Sequence, residues 1–136
     1  MKNLAGTHLV VLSACETGKG GMNSEGLEVA GMGHYFLKGG AKSVMASLWL
    51  VNDPATALLM REFYNQLKGN TAKPGIPKPE ALQQVQIGFI TGKFSHKEAE
   101  ALERAGGRRY VEGQLPAGSF AHPYYWAPFI LMGNNQ

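Results

Sequence analysis

The chain has 136 residues, a length that fits one domain and lets about two-thirds of the unfolded surface be buried. Its 44% hydrophobic and 17% charged content suits a globular protein, and a net charge of +3, with only Arg108 and Arg109 adjacent among the basic residues, leaves no nucleic-acid footprint. One cysteine excludes an internal disulfide and argues against a cysteine-based zinc site; no stretch nears the roughly twenty apolar residues of a membrane span, and Leu9 to Leu12 is too short for a secretory signal, so the expectation is a reduced, cytoplasmic domain.

Met1 to Thr7 is a polar lead-in. Leu9-Val10-Val11-Leu12 then reads as a strand buried on both faces, the habit of a parallel sheet. It runs into Ser13, Ala14, Cys15 and a glycine-rich loop through Gly21. Asn23 and Ser24 offer N-cap oxygens to a helix from about Glu25 to Lys38, with Leu27, Ala30, Met32, Phe36 and Leu37 as its buried side. Gly31 and Gly33 each weaken that helix by about 1 kcal/mol relative to alanine, and close approach to a sheet is their use. Gly39 and Gly40 end it. Lys42 to Val51 follows as a second buried strand, completing a βαβ unit.

Asp53 and Pro54 fit the N-cap and N1 of a helix reaching Lys68, stopped by Gly69. Lys73 to Pro79, with three of the seven prolines, is a connector rather than a polyproline ligand. A helix spans Glu80 to about Gly92, and Ser95-His96-Lys97-Glu98 forms a capping box for another to about Ala105. Gly106 to His122 lacks a period and reads as a surface excursion. Tyr124 to Gly133 is an aromatic entry into a last strand, made irregular at its start by Pro128.

Cys15 carries the chemical lead. A cysteine in a strand is often an inert small hydrophobe, but this one stands where the apolar run breaks into Glu16, Thr17 and Gly18, at the carboxyl end of a parallel strand, where open α/β sheets place ligands. The strand–glycine–lysine–helix order invites a phosphate-binding reading and fails it. A Walker loop needs glycine at position 13 and Ser or Thr after Lys19, where Ser13 and Gly20 stand. His8 lies seven residues before Cys15, roughly 23 Å along an extended strand, and cannot be its base. His34, His96 and His122 have no metal-ligand spacing, so neither metal nor cofactor is expected. Asp53 is explained as an N-cap, yet it also follows the second strand closely enough to sit on a cleft rim and receive a basic side chain.

Five blocks then carry a resemblance: Leu9 to Gly18, Ser24 to Leu27, Gly39 to Trp49, Asn52 to Ala57 and His122 to Phe129. In this order they resemble the CHAT domain, named for caspase-like domains found with tetratricopeptide repeats and related to caspases and separases. The resemblance implies an α/β, caspase-like three-layer fold with a mostly parallel sheet, and a Cys–His dyad peptidase acting on a peptide or protein. It implies Cys15 as nucleophile, with its backbone N–H in the oxyanion hole. Asp53 would be a contact for a basic substrate side chain, and Trp49 a wall of the same pocket. The family's histidine, in a His-Gly context, lies on the strand before the cysteine strand. The resemblance therefore implies a single partial domain over 1–136, the C-terminal half, with the N-terminal strands, the dyad base and the second oxyanion donor supplied by another segment or by a partner such as a tetratricopeptide-repeat protein. An inactive CHAT-like interaction module, docking through an open apolar sheet edge, is the alternative.

Overall fold

The computed structural model describes residues 3–12, 25–49, 53–94, 96–105 and 120–134. The chain divides into two compact units, one made of residues 1–50 and 128–136 and the other of residues 51–127.

The first unit is a βαβ crossover extended by a third strand. β1 (Val10–Leu12) leads through α1 (Glu25–Lys38) to β2 (Ser43–Ser47), and β3 (Phe129–Gly133) closes the sheet in the order β1-β2-β3. β1 and β2 are parallel, pairing Val10 with Val44, Val11 with Met45 and Leu12 with Ala46. β3 runs antiparallel to β2, from Ser47 opposite Phe129 to Ser43 opposite Gly133. The fold is α/β, as expected, and its three-stranded sheet is mixed. The last pairing has a topological cause: the chain leaves and re-enters at the carboxyl end of β2, where the Leu48 N–H donates to the Pro128 oxygen at 3.0 Å, so the returning strand must run the other way.

β2 is the core of this unit. Val44 and Met45 are fully buried and Ala46 nearly so, as its apolar run on both faces requires. β1 departs from expectation: Val11 is 41% exposed, because β1 pairs only with β2 among the described residues and Val11 takes the outermost place in its row. Met32 is likewise not on the buried side of α1 but 48% exposed. The two helix glycines differ. Gly33 is buried, and a Cβ there would lie 2.2 Å from Met132 Cε and 3.8 Å from Val44 Cγ1, so its bareness lets α1 lie on the sheet. Gly31 faces open space and has no such use. The helix ends in a Schellman motif, with Ala41 N donating to Phe36 O, Gly40 N to Leu37 O, and Gly40 at φ 103°.

The second unit holds α2 (Asp53–Lys68), α3 (Lys78–Ile90), α4 (His96–Ala105) and a 3-10 turn at Pro123–Tyr125. α2 packs on both α3 and α4. Leu58, Leu59, Phe63, Ala81 and Phe89 are fully buried. The proline-rich connector is an ordered turn: Asn70 Oδ1 accepts from the N–H groups of Ala72 (2.9 Å) and Lys73 (2.8 Å), and Ile76 N donates to Gln66 O. α3 starts at Lys78 rather than Glu80, since Pro77 stands outside the helix with its oxygen accepting the first helical bond from Ala81. Beyond α3 a chain of rings runs Phe94–Phe89–Phe120–Tyr125, with centroids 5.3, 6.1 and 5.1 Å apart. The aromatic entry from Tyr124 begins in the 3-10 turn, and the last strand follows Pro128 as β3. Residues 106–119, most of the expected surface excursion, lie outside the described residues.

Candidate functional site

Parallel pairing of β1 with β2 sends the chain out of both strands at one end of the sheet, since Leu12 is level with Ala46. This end of an open α/β sheet is where ligands bind. From β1 the chain continues towards Cys15, three residues on; Cys15 itself lies outside the described residues. From β2 it continues into Leu48 and Trp49, which form a bend.

That bend is held at two points. Ser47, at the last position of β2, is 7% exposed, and its hydroxyl donates to the backbone oxygen of Trp49. Leu48 N–H donates to Pro128 O. A buried hydroxyl needs a partner, and a serine reaching two residues along its own backbone competes with continued ladder pairing. For that reason β2 stops at Ser47 instead of running to Val51. Trp49 is half-buried. Asp53 opens α2, and its side chain lies outside the described residues. Of the three residues singled out from the sequence, the structure thus describes the surroundings of Trp49 alone. Ser47 was missed; the signal was a serine at a strand end, two residues ahead of the tryptophan, a spacing at which Ser side chains bond their own backbone.

The histidines are dispersed. His8 is exposed and precedes β1, at the amino end of the strand. His34 is exposed on α1, and His96 is the first residue of α4. His122 caps the 3-10 turn: its Nδ1 accepts from Tyr124 N–H at 3.2 Å. Nearby, Trp126 Nε1 donates to Ala121 O at 3.0 Å and Gln86 Nε2 to Trp126 O at 3.1 Å, so hydrogen bonds fix this aromatic segment within its unit. Among the described residues no three of His, Cys, Asp and Glu gather closely enough to hold a metal ion, and no helix is long and apolar enough to cross a membrane.

A βαβ crossover extended by an antiparallel third strand defines an α/β fold. Residues 1–134 match the CHAT domain, and the chain belongs to this caspase-like, peptidase-related family. No curated protein and no solved structure matches it.

Proposed function

We propose that the chain is the cysteine-bearing C-terminal portion of a cytoplasmic CHAT-type cysteine endopeptidase, with Cys15 as the nucleophile. The observation that carries this reading is the family match over residues 1–134, together with the place of Cys15 in the sequence, three residues after β1. In the reaction the Cys15 thiolate attacks the scissile carbonyl carbon, and the Cys15 backbone N–H donates to the oxygen as it gains negative charge. The C–N bond breaks, the amine departs with a proton from the dyad histidine, and water hydrolyses the thioester, releasing the acid and restoring the thiol. Asp53 would pair with a basic substrate side chain and Trp49 would wall its pocket. The histidine and the second oxyanion donor are assigned to a segment that supplies the N-terminal half, in cis or from a tetratricopeptide-repeat partner.

A second reading is favoured by the exposed Val11 on a strand that pairs on one side only among the described residues. On that reading the chain is an inactive CHAT-like module that binds through β1. Cleavage of a fluorogenic peptide with arginine before the scissile bond separates the two. The chain combined with the product encoded immediately upstream should turn it over, and Cys15→Ala should abolish turnover. Stable binding of an upstream segment that carries a His-Gly strand, with no turnover, would favour the module.

A further inference from the structure

α1 lies on the sheet through Gly33, whose bare backbone faces Met132 and Val44. Almost half a turn away, positions 28, 31, 35 and 38 form a row, because steps of three, four and three residues stay in line on a helix. On this row Tyr35 is 57% exposed, and Met32 beside it is 48% exposed. Gly31 stands between them in the row, and a Cβ there would meet no atom within 4 Å. An outward glycine inside a helix destabilises it relative to alanine, and no contact among the described residues requires this one. A bare position beside a protruding ring is what a second helix needs to approach closely. The row also matches itself when reversed. Positions 31 and 35 lie symmetrically about Gly33, and so do positions 28 and 38, a glutamate and a lysine in the sequence. Two copies of α1 laid antiparallel and centred on Gly33 therefore set Tyr35 of each over Gly31 of the other. They also set an acidic position 28 against a basic position 38 at both ends. Parallel pairing would put glycine on glycine, ring on ring and lysine on lysine. Size and charge together select the antiparallel arrangement, which is the isologous contact of a two-fold dimer.

We propose that the outer face of α1 is a self-association surface, occupied by α1 of a second copy of this chain, antiparallel and centred on Gly33. α1 has 14 residues and is about 21 Å long. One such helix pair covers less than the roughly 800 Å² per partner of a stable interface, so the dimer is weak and concentration-dependent. The proposal is independent of the peptidase reading.

Sedimentation equilibrium of the intact chain, from about 10 μM to about 1 mM, tests this over the range of a weak interface. The average mass should rise from that of a monomer towards that of a dimer. Gly31→Gln enters open space in the single chain and favours the helix, so far-ultraviolet circular dichroism should show the fold kept. The same substitution fills the seat of the incoming Tyr35 and should raise the dimer dissociation constant about tenfold. Lys38→Glu sets like charges together at both ends and should raise it about threefold. Glu28→Lys combined with Lys38→Glu restores opposite charges and should return it to within about twofold of the native value. A native chain that stays monomeric at about 1 mM overturns the inference. So does a dimer that Gly31→Gln leaves unchanged, which would move the contact elsewhere, the β1 edge included. A loss in Lys38→Glu that the double substitution does not recover overturns the antiparallel arrangement, and the inference with it.

Discussion

Single residues here are often decided by backbone space rather than by side-chain chemistry. Gly69 and Gly92 both follow a helix at positive φ, 66° and 71°, so alanine at either meets the same intrinsic left-handed penalty, about 1–2 kcal/mol. Their surroundings differ. A Cβ at Gly92 has nothing within 4 Å, whereas at Gly69 it would stand 2.3 Å from Gly75 N and 2.5 Å from Lys73 O, backbone atoms that cannot swing away. Urea denaturation should therefore show Gly69→Ala costing about 1–3 kcal/mol more than Gly92→Ala. Equal midpoints would mean that the Asn70 turn is not packed as described. The adjoining ion pair, Arg61 with Glu62 at 2.7 Å, joins sequence neighbours on α2 with the arginine side chain 35% exposed, and contributes little to stability.

At the scale of elements, α1 (Glu25–Lys38) and α2 (Asp53–Lys68) were legible to within about a residue, because each had an N-terminal capping signal and a glycine stop. The strands were less so. β2 is shorter than its apolar run, since the Ser47 hydroxyl bends the chain before the run ends. β1 looked buried on both faces from its four aliphatic residues, but composition does not reveal which strand will be outermost, and Val11 is exposed. The ring cluster beyond α3 was also invisible, because Phe89, Phe94 and Phe120 are brought together by tertiary packing. Phe120 is fully buried between Phe89 and Tyr125, while Tyr124, at the end of the same row, is 45% exposed. Phe120→Ala should lower stability by about 3–5 kcal/mol and flatten the near-ultraviolet circular dichroism. Tyr124→Ala should change stability by less than about 1 kcal/mol. Similar losses at the two positions would contradict the described cluster.

For the molecule as a whole, the parallel pairing of β1 with β2 fixes where the chain leaves the sheet. β1 and β2 are parallel, so the chain leaves both strands at the same end of the sheet, after Leu12 and after Ser47. β3 returns to that end as well, through Pro128. The family was legible from five short blocks standing in the family's order, and the match over residues 1–134 bears the resemblance out. The roles of Cys15, Asp53 and Trp49 depend on side-chain placement that periodicity and composition do not encode. They stand as proposals drawn from the family.

The proposal as a whole requires the Cys15 thiol to open onto a groove, and the presence of one cysteine makes this directly measurable. Iodoacetamide alkylation, followed by mass spectrometry at a pH near the free thiol value of about 8.5, compares the folded chain with the chain in urea. The account predicts rates within about tenfold of each other, because a thiol in a groove is reachable without unfolding. A thiol protected by several orders of magnitude until the whole chain unfolds would place the sulfur in the apolar interior and contradict a nucleophilic role for Cys15.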